Sequence, residues 1–223
     1  MSFAKNATVV VVHGAWADGS SWQAVIRLLE ERGLNVITAP LPLTSLSDDA
    51  AALKRTITRT EGPVIVAGHA YAGAVIATAH DERVKALVYV AALAPDEGET
   101  VAQVFYKDET HAEAPQLAPD ADGFIWMPDD GFADAFAQNA SAEQIALSRA
   151  VQRPISMKCI QEPAPAPAWK SKPAWYLVAE QDRMINPRTQ RFMAERMKAT
   201  VRSFEVDHTP LLTAPDKDRK SVV

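Results

Sequence analysis

Four short segments carry residue types that do carbonyl chemistry when they meet. His13-Gly14-Ala15-Trp16 follows a run of valines. Gly68-His69-Ala70-Tyr71-Ala72-Gly73 separates an apolar run from a stretch of small residues. Asp182 stands in Glu180-Gln181-Asp182, and His208 in Asp207-His208-Thr209-Pro210. An imidazole moves protons near neutral pH, and a carboxylate orients it. Main-chain N–H groups at glycine-bordered turns hold the negative charge that grows on a carbonyl oxygen. The set lacks a nucleophile, because the centre of the second segment is Ala70, whose methyl group has no lone pair. Singly, each segment has a plain reading: a strand end at Gly14, a tight turn at 68–73, a loop carboxylate at Asp182, a structural histidine at His208. In sequence order, each directly after a buried apolar run, they describe one site.

Such a site needs a parallel sheet covered by helices. The alternation of apolar runs with amphipathic stretches predicts one. Residues 8–12 are β-branched throughout, and their four valines leave both faces apolar, as in a central strand. Further strands are predicted at 35–39, 64–67, 84–91, 174–179 and 201–206. A helix is predicted from Ser20 or Ser21 to Glu31. Ser20 caps it, Trp22, Val25, Ile26 and Leu29 share one face, and Gly33 stops it. Others are predicted at 47–60 with Ser47 as cap, at 71–79, and at 187–198 behind Asn186-Pro187. Between Ala94 and Pro167 the rhythm changes. No strand pair is predicted there, only helical stretches near 100–105, 131–139 and 141–151. The expected organisation is a core of residues 1–93 and 168–223 interrupted by a helical cap at 94–167, one structural domain overall. Pro163, Pro165 and Pro167 form a stiff exit from the cap.

Composition narrows the partners. The 23 basic and 28 acidic residues leave a net charge of −5, which speaks against nucleic acid and anionic membrane. The single cysteine, Cys159, forms no intramolecular disulfide and fits a reducing cytoplasm. With no motif around it, it reads as inert. Residues 1–8 lack a signal-peptide pattern, and the longest apolar runs are about half a membrane helix or less. No metal-ligand spacing or phosphate loop occurs, so no metal or cofactor is expected. The expected partner is a small molecule, and the sequence sets no oligomeric state. Trp16, Phe105, Tyr106, Trp126 and Met127 are candidates to line an apolar pocket under the cap. His69 and His13 flank that pocket as packing residues, and His80 and His111 read as surface or cap residues.

The chain resembles the α/β-hydrolase superfamily, in its esterase and hydroxynitrile-lyase-like branch. The pieces that carry the likeness are the His13-Gly14-Ala15-Trp16 loop with nearby Trp22, the 68–73 turn, the 177–182 segment, and His208 followed by Pro210. The likeness covers nearly the whole chain, with 94–167 matching only as a cap. It implies Asp182 as the acid of a catalytic triad, His208 as its base, and the Ala15 and Tyr71 N–H groups as an oxyanion hole. The family has serine where Ala70 stands, and usually glycine where Ala72 stands. One laboratory substitution accounts for Ala70 and leaves Ala72 unexplained, which favours a natural change over an engineered one and leaves both open. An acyl-enzyme route through position 70 is closed.

Three functions follow as expectations. The first is a hydrolase-family protein for a small apolar ester or related carbonyl compound that has lost its nucleophile. The second is a non-covalent His-Asp general-base enzyme, lyase-like or acting by direct water attack. The third is a ligand-binding pseudoenzyme. After Ala214 the charged run Pro215 to Lys220 replaces the last helix such a fold normally adds, which implies a shortened chain or a reduced helix.

Overall fold

The computed structural model describes residues 7–216. In chain order its strands are β1 (Thr8–Val12), β2 (Asn35–Ala39), β3 (Val64–His69), β4 (Val84–Val90), β5 (Phe124–Ile125), β6 (Ile155–Ser156), β7 (Ala174–Ala179) and β8 (Thr200–Phe204). Its helices are α1 (Gln23–Glu30), α2 (Leu46–Thr58), α3 (Ala72–Ile76), α4 (Val101–Phe105), α5 (Asp129–Gly131), α6 (Ala142–Val151), α7 (Met157–Gln161), α8 (Pro187–Arg196) and α9 (Pro210–Thr213). Six strands make one parallel sheet in the order β2-β1-β3-β4-β7-β8.

The valines of β1 show why the sheet sits where it does. Val10 and Val12 pack on the side of α2, α3, α8 and the cap, and Val9 and Val11 on the side of α1 and α9. A strand buried on both faces must be apolar at every position, so alternation disappears and a continuous run replaces it. Edge strand β8 is mostly exposed and carries Arg202 and Ser203.

Two helix starts differ from the sequence prediction. A 3-10 turn at Gly19–Trp22 precedes α1, and Asp18 rather than Ser20 caps it, accepting the Ser20 N–H at 2.8 Å. The tighter turn moves the first unsatisfied N–H groups upstream. Helix α2 is capped by Ser45, not Ser47, because the helix begins early enough to bury Leu46. Gly33, at φ +78°, ends the α1 segment as the sequence implies.

Between β4 and β7 the chain forms the cap. The prediction of no strand pair there is overturned: β5 and β6 pair antiparallel, Phe124 with Ser156 and Ile125 with Ile155. Two residues per strand are too few for alternation to show. The helix predicted at 131–139 is instead short α5 followed by a π-helical turn, Phe132–Phe136, closed by Ala137 N–H to the Phe132 oxygen at 2.8 Å. Helix α7 was not expected.

Hydrogen bonds fasten the cap to the core in both directions. In one set, core groups donate and cap main-chain oxygens accept. Trp16 Nε1 reaches the Ile125 oxygen at 2.9 Å and the Trp16 N–H the Arg153 oxygen at 3.0 Å. Arg183 Nη1 reaches Asp134 at 2.6 Å, Asn186 Nδ2 reaches Glu109 at 2.9 Å, and Thr209 Oγ1 reaches Phe136 at 3.0 Å. In the other, cap groups donate: the Ser156 N–H to the Leu43 oxygen at 3.0 Å, Gln138 Nε2 to the Gln181 oxygen at 2.7 Å, the Asn139 N–H to Asp207 Oδ2 at 3.0 Å and Gln144 Nε2 to the Leu212 oxygen at 3.2 Å.

Among the described residues no helix is long and apolar enough to cross a membrane. The N-terminal stretch read as free of a signal pattern lies outside the described residues up to Asn6. The charged tail lies outside them from Lys217.

Candidate active site

Strand β3 delivers the chain to Ala70, which turns it into α3 at φ +51°. A residue with a Cβ costs about 1–2 kcal/mol in this left-handed region, so the surroundings must hold it there. The Ala70 N–H reaches the Val90 oxygen at 3.3 Å, and the Leu93 N–H reaches the Ala70 oxygen at 2.9 Å. Small neighbours permit the turn. A Cβ at Gly68 would stand 2.9 Å from the Ala72 oxygen. One at Gly14 would stand 3.0 Å from the His69 oxygen and 3.1 Å from the Ala70 Cβ, so glycine lets the loop after β1 lie directly on the turn.

The loops after β7 and β8 bring Asp182 and His208 to the same sheet edge. His208 Nδ1 lies 2.8 Å from Asp182 Oδ2, and both side chains are buried. The carboxylate is held by three further donors: the Met184 and Ile185 N–H groups at 2.7 and 2.8 Å on Oδ1, and Gln190 Nε2 at 2.7 Å on Oδ2. An ionised carboxylate can accept all four. A carboxylate oxygen accepts, so His208 Nδ1 donates to it. Among the described residues His208 Nε2 has no hydrogen-bond partner.

Two histidines pack close by. His69 Nε2 donates to the His208 main-chain oxygen at 2.7 Å, with the two rings 4.8 Å apart. Burial holds the His69 imidazole well below its ordinary range, so it stays neutral. His13 accepts the Leu41 N–H on Nε2 at 3.0 Å and donates from Nδ1 to the Gly14 oxygen at 3.0 Å. Burial lowers it to about 4. His13 therefore stitches the loops after β1 and β2 together.

A cavity of about 70 Å³ brings together Ala70, His208, Ala15 and Tyr71, with Trp16 and Phe105 among its apolar walls. Ala15 and Tyr71 are buried, yet among the described residues neither main-chain N–H has an intramolecular acceptor. Buried N–H groups without acceptors are rare.

Of the pocket residues expected from sequence, Trp16, Phe105 and Tyr106 line this cavity, and His69 stands behind His208. Trp126 does not. It is 50% exposed, and its indole N–H donates to Asp120 Oδ2 at 3.1 Å on the cap surface, because the β5–β6 pairing points it outward. Met127 is buried within the cap and likewise lies outside the cavity lining. His80 and His111 are exposed.

The sequence reading missed two buried carboxylates. Asp49 of α2 accepts the Tyr71 hydroxyl on Oδ2 at 2.7 Å and the Leu43 N–H on Oδ1 at 2.8 Å, with Cys159 Sγ 3.7 Å from Oδ2. Burial pushes the Asp49 carboxyl up, the Tyr71 phenol well up, and the Cys159 thiol up to about 12, so this sulfur is no nucleophile. A signal was present, since Asp49 falls on the stripe of Leu46, Leu53 and Ile57. Asp207 accepts the Asn139 N–H at 3.0 Å and the Thr213 hydroxyl at 2.6 Å, and so pins the loop that carries His208. Burial raises this carboxyl too. Among the described residues no group of three or more His, Cys, Asp or Glu side chains is placed to hold a metal ion.

A parallel sheet with a strained strand-to-helix turn after its third strand and a helical cap before its last two is an α/β-hydrolase fold. The profile of the alpha/beta hydrolase family matches residues 9–217, and the chain belongs to that family. Polyneuridine aldehyde esterase superposes with a TM-score of 0.83 at 18% identity, over 97% of this chain and 98% of that one. A pyrethroid hydrolase from Sphingobium faniae JZ-2 superposes at 0.80 with 22% identity, over 97% and 95%. A methylesterase from Arabidopsis superposes at 0.79 with 19% identity, over 96% and 95%. At these identities the likeness is one of fold. No curated protein matches the chain.

Proposed function

We propose that this protein binds a small apolar ester or related carbonyl compound and acts on it without a covalent intermediate, with His208 as general base. The observation that carries this reading is the state of the His208 ring. Asp182 fixes its Nδ1, and its Nε2 has no partner among the described residues at a cavity shared with Ala70. The structural neighbours are esterases and a hydrolase by name, which favours an ester.

The chemistry runs as follows. The substrate carbonyl oxygen rests on the Ala15 and Tyr71 N–H groups. His208 Nε2 takes a proton from a water molecule, whose oxygen attacks the carbonyl carbon. The tetrahedral oxyanion is held by the two N–H groups. On collapse the alcohol leaves and takes the proton back from Nε2. Asp182 keeps the imidazole in the useful tautomer and stabilises its charged form. Ala70 takes no part in bond making.

Hydrolysis of 4-nitrophenyl acetate tests this. Steady turnover without a burst is expected from the native chain, and its loss in His208→Ala. Equal activity in that variant overturns the reading, and tight carbonyl binding without turnover makes the protein a binder. Ala70→Ser is expected to introduce a burst of acylation.

A further inference from the structure

The catalytic cavity is too small for the substrates its chemistry suits. It measures about 70 Å³, whereas ligand sites usually run to about 300–1,000 Å³. A second cavity of about 310 Å³ lies between α1 and the cap helix α6, and Trp16 and Phe136 line both.

Four aromatic rings make the partition. Trp16 and Phe136 meet edge to face at 6.1 Å, Phe136 lies 5.3 Å from the His208 ring, and His69 completes the set, 4.8 Å from His208. His208 faces the inner cavity and His69 lines the outer one. Trp16 is fixed at both its main-chain N–H and its indole N–H. Phe136 has no such tether on its ring, and it ends the π-helical turn, a geometry that recurs at functional sites. The outer wall, α6, has no buried residue, so it spans the cavity rather than filling it.

We propose that the outer cavity is a second substrate compartment, that it takes the aryl portion of a carbonyl compound, and that Phe136 is the movable partition between that portion and the reacting carbonyl. Apolar Leu147 and Leu211 with Trp16 suit a ring, and Ser148 suits a hydroxyl. This rests on the carbonyl-site reading above and names the substrate class for it.

Calorimetric titration of the whole protein tests it with three probes: 1,1,1-trifluoroacetone for the inner cavity, 2-naphthol for the outer, and 2-acetonaphthone for both. Ser148→Trp, and independently Ala24→Phe from the facing helix, fill the outer cavity. Each is expected to weaken 2-naphthol and 2-acetonaphthone about tenfold or more, the scale for losing a central apolar contact, and to leave trifluoroacetone unchanged. Phe136→Ala is expected to tighten 2-acetonaphthone, since no ring then has to move. Failure of 2-naphthol to bind, or indifference of 2-acetonaphthone to all three substitutions, overturns the compartment. Equal hydrolysis of 4-nitrophenyl acetate by His208→Ala and the parent sinks the carbonyl-site reading instead, and leaves the naphthol result to decide the compartment by itself.

Discussion

His69 donates its Nε2 hydrogen to the main-chain oxygen of His208 at 2.7 Å, so the residue entering the tight turn grips the residue that faces it. The bond is buried, and removing the donor strands a carbonyl. His69→Ala is expected to cost about 1–3 kcal/mol in denaturant unfolding. It should also lower turnover more than it raises KM, because His208 loses its seat while the cavity keeps its walls. A variant with native stability and native turnover would refute this.

Helix α3 comes so close to the chain after β4 that a Cβ at Gly73 would stand 2.3 Å from the Leu93 oxygen. Backbone on both sides prevents relief. Gly73→Ala should therefore destabilise by several kcal/mol, at the severe end for a single methyl group, or fail to fold. A thermal midpoint within a degree or two of the parent would contradict that contact.

Ala70 is held at φ +51° with a side chain that has no known bond to make there. Ala70→Gly relieves about 1–2 kcal/mol of left-handed strain, part of which the looser unfolded chain offsets. The expected result is unchanged or slightly higher stability, by up to about 1 kcal/mol. A clear loss would show that the methyl contributes packing that outweighs the strain.

Burial holds His13 at about 4, against 6.5 for a free imidazole. Between those values the unfolded chain binds a proton that the folded chain refuses. Stability therefore falls as pH drops from about 6.5 to 4, by about 3 kcal/mol in total from this group. His69, lowered by burial, acts in the same direction, whereas the raised carboxyls of Asp49 and Asp207 act against it. Chemical denaturation at pH 7, 5.5 and 4.5 should show a falling midpoint, and His13→Gln should flatten the fall.

Trp126 is exposed and bonded to Asp120. Trp126→Ala is expected to change stability by less than about 0.5 kcal/mol and to leave ligand binding unaltered. A change in affinity for trifluoroacetone would return this residue to the site.

The sheet was legible because its physics is local. A valine run has few homes other than a strand covered on both faces, and the order of turn, carboxylate and imidazole marks three strand ends. The cap was not legible. Its ribbon is two residues per strand, and its central helix is a π-helical turn whose residues, Phe132 to Phe136, read equally well as ordinary helix. Trp126 was misplaced for the same reason, since two paired residues decide which way it points. Asp49 was overlooked because acidic residues belong in the first turn of a helix, and that habit hid a carboxylate that reaches inward to Tyr71.

The cap offers its backbone oxygens to donors rooted in the core. Carbonyls are present whatever the side chain, so cap residues other than those moored by their side chains, such as Glu99, Asp108, Gln138, Gln144 and Glu162, can be exchanged without unmooring the scaffold. Diversity introduced at positions such as Phe105, Leu117 and Leu147 should then reshape selectivity while the chain still folds. That separation of anchorage from recognition makes the cap the natural place to build a library.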